Sequence, residues 1–391
     1  MEPVMSSPGG SSALMREAKA MLPVYSQLPF TPVRGEGCDI ITTDNRRILD
    51  LYGGHAVAAL GYGHPQLTQA IAAQSSRLLF QSNAVAIDIR AEAAEKLVSV
   101  APPDLSRVFF ANSGAEANEN ALRIACLTSS RKKVLAIEHG FHGRTAAAGA
   151  VTWGAKWFGF PQKPFEVEFI PRDDVDAAVT MIDSSVAAVI FEPVQGIAGA
   201  FDLDAAFVHA LRERTQQNGT LLIADEVQCG MGRSGHFFAC DAYDVKPDML
   251  TSAKAIAGGI PAAAVLVTEN LSGKINRGQL GSTFGGNPVA AAAIVAVIDS
   301  IINEGILDNV RSREAEIREK CVIGPVRSIR GMGLLLGLVC DRPARDVRDY
   351  LLNMNILTGT SADENVLRLL PPLIIESRHV TQLADALNKM T

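Results

Sequence analysis

The stretch LLIADEV, residues 221–227, sets an apolar run against two adjacent carboxylates, Asp225 and Glu226. A short continuous apolar run of this kind is the pattern of a strand buried on both faces. Three others precede it: RVFFA from 107, KVLAIE from 133 and AAVIFEPV from 187. Amphipathic helical stretches lie between them, among them GAEANENALRIA (114–125) and AAFVHALRERTQQ (205–217). The alternation predicts an α/β domain whose mainly parallel central sheet is covered by helices. In such sheets ligands bind beyond the carboxyl ends of the strands, so the residues after each run are where chemistry is expected. After about Asn287 an alanine-rich helical segment leads into VRSIRGMGLLLGLVC (326–340), NVLRLLPPLII (365–375) and a helical end, the signs of a smaller α+β domain. The expected division is 1–45 for an N-terminal tail and the segment joining the small domain, 46–287 for the large domain and 288–391 for the small one.

Composition narrows the function. The 391 residues are 48% hydrophobic and 20% charged, with a formal net charge of −6. No basic patch marks a nucleic acid or an anionic membrane as partner. The six cysteines never approach CxxC spacing, so neither a zinc site nor a disulfide framework is expected, and reduced thiols fit a cytoplasmic protein. The opening MEPVMSSPGGSSALM lacks a basic n-region and an apolar h-region and reads as a flexible tail.

Each strand end offers a plain reading and a sharper one. NSGA at 112–115 is a helix start whose backbone N–H groups form either an anion site or an ordinary cap supplied by Ser113. GMGRSG at 230–235 formally matches GxGxxG, but two carboxylates just before it would repel a pyrophosphate, so a loop is the better reading. Asp225, at a buried strand end, needs a cation or hydrogen-bond donors. EHGFHGRT at 138–145 places two histidines without a third metal ligand, and Arg144 as either a surface residue or a carboxylate clamp. Lys254 is the only charged residue from Met249 to Thr268. It is either a snorkelling side chain or a buried nucleophilic amine. Pyridoxal 5'-phosphate would use an anion cradle, an aromatic, a buried aspartate, an isolated lysine and an arginine clamp together.

NSGAEANE, FHGRT, FEPVQG, LLIADEVQCGMGRSG, PDMLTSAKAIAGGIP and STFGGNP stand in the order of the class III (ω-type) aminotransferases of the fold type I pyridoxal-phosphate family. The chain resembles most the acetylornithine/ornithine branch, from about PFTPVRGEG at 29 to VLRLLPPLII at 366. The resemblance implies that Lys254 binds the cofactor's aldehyde and shuttles a proton, and that Asp225 pairs with the pyridine nitrogen. It implies that Ser113, Gly114 and Ala115 hold the phosphate. Phe141 and Val227 would flank the ring, and Gln228 would approach the phenolic oxygen. Thr283 would reach the phosphate of a neighbouring subunit, so a homodimer with shared sites is expected.

The same resemblance assigns substrate contacts. Arg144 would bind a distal carboxylate and Arg368 the α-carboxylate of glutamate or 2-oxoglutarate, while Tyr52 and His55 lie in a loop shaping the pocket. The expected reaction is ping-pong transfer of a terminal amine, that of N-acetylornithine, to 2-oxoglutarate in arginine biosynthesis. Relatives read QGEGG or QGEAG where this chain reads QGIAGA, so Ile197 replaces the glutamate that neutralises the second arginine. Left unpaired, Arg368 would cost about 1–3 kcal/mol unless water or another acid covered it. Other donors therefore stay open, such as a succinylated or carrier-linked ornithine or lysine, a diamine or 4-aminobutyrate. So does a class III racemase or epimerase.

Overall fold

Residues 12–390 are described by a computed structural model; most of the expected N-terminal tail lies outside the described residues. Seven strands form the central sheet: β1 (Leu105–Ala111), β2 (Lys133–Ile137), β3 (Glu166–Ile170), β4 (Val186–Phe191), β5 (Leu221–Asp225), β6 (Met249–Ser252) and β7 (Ala263–Thr268). Their spatial order is β1-β7-β6-β5-β4-β2-β3, and β7 alone runs against the rest. The expected mainly parallel α/β architecture is present, and the four strand-like runs read from sequence are β1, β2, β4 and β5.

Strand parity decides which side chain meets which layer. Ala188, Ile190 and Ile223 pack with Ala117, Ala121 and Leu122 of the helix Gly114–Thr128. Val189, Phe191, Leu222 and Ala224 pack on the opposite face with Phe207, Val208 and Leu211 of the helix Ala205–Asn218. Asp225 shares parity with Ile223 and so turns towards the first helix. β4 is buried along its whole length, as an apolar run without alternation requires.

Pro32–Glu36, Asp39–Thr42 and Arg47–Asp50 form an antiparallel meander whose last strand pairs in parallel with Ile356–Leu357, Leu49 opposite Ile356. The C-terminal part builds a separate antiparallel sheet from Val326–Met332, Leu335–Cys340, Val366–Leu369 and Gly359–Thr360. Arg368 lies opposite Gly337 and Gly359 in it. The alanine-rich helix Pro288–Asn303, capped by Asn287, packs against the helices Pro65–Arg77 and Asp88–Ser99. No single helix among the described residues is long and apolar enough to cross a membrane.

One interaction fixes the loop that follows β2. Glu119 Oε2 accepts from Thr145 Oγ1 at 2.6 Å and from the backbone N–H groups of Ala147 and Ala148 at 2.8 and 3.0 Å. Those two N–H groups begin the short helix Ala146–Ala150 and have no intrahelical partner. Replacing Glu119 by Ala is expected to lower stability by about 2 kcal/mol, read as a shift of the urea midpoint at constant slope.

Candidate active site

β5 ends on Asp225, which is buried and hydrogen-bonded on both oxygens. Its Oδ2 accepts from His142 Nδ1 and from Asn118 Nδ2, each at 2.7 Å, and Oδ1 accepts from the Val227 N–H at 3.0 Å. Asn118 is held in turn by Thr251 of β6, whose hydroxyl donates to its Oδ1 at 2.7 Å. A carboxylate only accepts, so the bond to His142 places that ring's proton on Nδ1. Glu226 faces the other way: Oε1 accepts from the Cys240 N–H at 2.8 Å and Oε2 from Cys229 Sγ at 3.1 Å. Burial pushes its carboxyl up to about 7. The two adjacent acids of the opening motif therefore do different work, one facing a cavity and one closed into the core.

That cavity, of about 290 Å³, is lined by Gly114, Ala115, Phe141, Arg144, Glu192, Ile197, Asp225, Val227, Gln228 and Lys254, with Asn118, His142 and Gly143. Gly114 and Ala115 open the helix Gly114–Thr128. A Cβ on Gly114 would stand 2.6 Å from Val227 Cγ1, so glycine is required there. Ser113 Oγ accepts from the Glu116 N–H at 3.2 Å, which makes the cap reading of Ser113 real; the residue is exposed at the edge of the cavity rather than in its wall.

Lys254 follows β6 with a left-handed backbone, φ 46°. Burial lowers its basicity, Asp225 and Glu192 oppose that effect, and the charge of Arg368 adds to it. Glu192 accepts from the Phe141 N–H at 2.8 Å and the Gly196 N–H at 3.3 Å, and is raised by burial and by the charge of Asp225. Among the described residues, Gln228 Oε1 is buried without a partner, and so is His142 Nε2. Room for the Gln228 amide depends on Gly196, where a Cβ would fall 1.6 Å from Oε1.

Phe141 meets Trp157 edge-on at 5.3 Å, and the Arg144 guanidinium lies 4.7 Å above the Trp157 ring. Arg144 is exposed and forms no ion pair among the described residues. Arg368 is buried outside the cavity wall. The sequence left it unpaired unless water or an acid replaced the glutamate, and the structure corrects this. Nε donates to Thr360 O at 2.8 Å, Nη1 to Gly196 O at 3.2 Å and Nη2 to the Tyr52 hydroxyl at 3.1 Å. Neutral oxygens take the place of the expected charge. Tyr52 and His55 stand with Arg368, outside the wall around Lys254. Thr283 is exposed and away from its own chain's cavity, in a segment fastened by Asn83 to Ser282 O and Gly285 O. The GMGRSG loop packs Gly232 against Leu307 and Leu373, and Gly235 against Arg311, as a structural loop.

Sequence reasoning missed Asn118, Glu192 and Trp157, and left His142 in a structural or stacking role. Asn118 had one signal, its position four residues after Gly114 at the helix start, on the face toward the sheet.

Residues 21–391 match the family model described as aminotransferase class-III. The acetylornithine aminotransferase of Methanopyrus kandleri is 39% identical, covering 93% of this chain and 95% of that one. The acetylornithine/succinyldiaminopimelate aminotransferase of Photorhabdus laumondii is 37% identical over 95% and 96%. Among solved structures, the acetylornithine aminotransferase of Elizabethkingia anophelis superposes with TM-score 0.86 at 29% identity over 96% and 97% of the two chains. The ornithine aminotransferase of Toxoplasma gondii gives 0.90 at 27% over 96% and 94%.

Burial of Glu226 makes stability depend on pH. Its folded value, about 7, lies above the ordinary 4.5, so the native state holds this proton more tightly than the unfolded chain. Native stability is therefore undiminished below pH 4.5 and falls as pH rises towards 7, by on the order of 3 kcal/mol for this group alone. The variant Glu226→Gln is expected to lose that dependence. The difference in unfolding free energy, mutant minus wild type, should become more positive between pH 4.5 and 7 and then level off.

Proposed function

The chain belongs to the class-III aminotransferases, and from that membership we propose that it moves the terminal amino group of N-acetylornithine to 2-oxoglutarate by a ping-pong route in arginine biosynthesis. The observation that carries this reading is the sharing of one cavity by Lys254, whose basicity burial depresses, Asp225, and an arginine without an acidic partner, Arg144.

Pyridoxal 5'-phosphate fits the residues present. Among the described residues the Gln228 oxygen is buried without a partner, and Asp225 Oδ1 carries one hydrogen bond with acceptor capacity to spare. When bound, this cofactor supplies an electron sink for the charge left as the substrate's proton departs. Lys254, whose basicity burial lowers, would hold the cofactor's aldehyde between turnovers and move the proton at the carbon bearing the amine. Asp225, aimed by His142 and Asn118, would pair with the ring nitrogen and keep it protonated. Gly114 and Ala115 would offer first-turn N–H groups to the phosphate, with Ser113 beside them. Phe141 and Val227 would flank the ring, and Gln228 would approach the phenolic oxygen. Thr283 serves the partner subunit's phosphate; the apolar surface of Leu79, Phe80 and Phe284 around its segment supports a homodimer with shared sites. We place the protein in the cytoplasm, with no nucleic-acid or membrane partner.

Arg144 takes the donor's far carboxylate, and Arg368 the carboxylate next to the reacting carbon of 2-oxoglutarate. The charges of Arg368, Lys254 and Arg144 all bear on His55, so a donor carrying a second ammonium, such as a free diamine, meets repulsion, while an acylated amine does not. Ile197 favours a second reading. A donor with a carboxylate on the carbon bearing its amine would engage Arg368 in both half-reactions, and no glutamate is then needed to cover it.

The purified protein is expected to be yellow and to bleach on addition of N-acetylornithine, and Lys254→Ala to lose turnover altogether. Unchanged steady-state turnover in that variant would overturn the assignment. Bleaching only by donors with a carboxylate beside the amine would put the second reading first. Ile197→Glu is expected to improve the use of donors lacking that carboxylate by roughly tenfold in kcat/KM, the value of one charge-assisted hydrogen bond.

A further inference from the structure

Residues 53–56 form a turn with four successive left-handed residues: Gly53, Gly54, His55 and Ala56, with φ of 56°, 57°, 65° and 70°. Left-handed backbone suits glycine but not residues with a Cβ, so His55 and Ala56 need support from their surroundings. Asp50 provides it, its Oδ1 accepting from the Tyr52 and Gly53 N–H groups at 2.8 and 2.9 Å while Tyr62 donates to Oδ2. Strain held in this way gathers at functional sites. The outcome is one contact: His55 Nδ1 lies 2.6 Å from the Tyr52 hydroxyl oxygen. The Tyr52 ring has a place prepared on its other side, since a Cβ on Gly359 would fall 1.9 Å from it.

The direction of the hydrogen bonds follows from chemistry. A guanidinium only donates, so the Tyr52 oxygen accepts from Arg368 Nη2. The phenolic proton is then free for His55 Nδ1. Burial and the charges of Arg368, Lys254 and Arg144 hold that imidazole down to about 4, so the ring is neutral and can accept. Thr360 O and Gly196 O complete the set around Arg368.

We propose that Tyr52, oriented by His55, is a specificity-determining cover for Arg368: its hydroxyl occupies the guanidinium edge that a substrate carboxylate takes, and yields it without leaving a charge behind. A glutamate in this role must be displaced as an anion by an incoming anion, whereas a phenol is displaced as a dipole. The pocket therefore keeps the arginine's charge in both half-reactions, covered by the phenol while a donor without a carboxylate there reacts and uncovered for the carboxylate of the oxo acid. The inference rests on the reading of Arg368 as a carboxylate site.

Glutarate tests both layers separately, because it has two carboxylates and no amine and cannot turn over. Its equilibrium binding to the holoenzyme is to be measured by calorimetry. Arg368→Gln is expected to weaken glutarate at least tenfold; an unchanged affinity would show that Arg368 is no carboxylate site. Tyr52→Phe keeps the ring in its gap and removes only the hydroxyl. It is expected to tighten glutarate roughly five- to tenfold and to lower KM for 2-oxoglutarate relative to that for N-acetylornithine, as loss of one competing charge-assisted bond requires. Weaker or unchanged glutarate binding in Tyr52→Phe, with a normal loss in Arg368→Gln, would overturn the cover and leave the carboxylate site standing. His55→Asn tolerates the turn and keeps an acceptor, so its affinity should stay within about threefold of wild type, while His55→Gly moves towards the Tyr52→Phe value. Equal values for the two would remove His55 from the device.

Discussion

The carboxylate of Asp225 is the constraint on which the rest of the structure depends. Taking an ion out of water costs several kcal/mol unless donors replace the lost hydration. Here the donors come from the helix Gly114–Thr128, from the loop after β2 and from the turn after β5, while β6 steadies Asn118. None of these neighbours Asp225 along the chain except Val227. The acid can be satisfied only after helix, sheet and loop have docked, so the site and the large core form together. The odd-numbered parity of Ile223 and Asp225 makes this possible by turning the acid to the face that carries Asn118.

Much of this was legible in the residues, for reasons that differ from place to place. The strand LLIAD announced itself by unbroken apolarity, and Lys254 by the absence of any other charge over twenty positions. Gly114 was marked by its place between strand and helix. β6 and β7 were harder: four and six residues long, they flank the lysine segment and resemble the small residues around it. The insertion of antiparallel β7 between β1 and β6 is a matter of spatial order that no local pattern encodes. Asn118 was hidden because a polar residue on a helix is read as solvated unless the opposite layer is known.

Arg368 shows the limit most clearly. The loss of the glutamate at Ile197 could be seen in the sequence, but its replacement could not, because two of the three acceptors are backbone carbonyls. Carbonyls leave no signature in residue identity. The third, Tyr52, comes from more than three hundred positions away. The two arginines also differ in kind: Arg144 rests on an aromatic plane with no ion pair among the described residues, while Arg368 is held at three nitrogens and acts as a fixed reference point for whatever binds.

The left-handed turn at Gly53–Ala56 has a consequence for how such a protein could diverge. A Cβ at Gly53 would stand 2.7 Å from Leu370 O, and the Tyr52 ring excludes one from Gly359, so the positions around the pair admit almost no drift. Ile197, in a cavity wall and free of such limits, can be exchanged at little cost to the backbone. Selection for a new substrate would therefore travel through the wall residue first, and lineages that share the turn would be expected to differ from one another there.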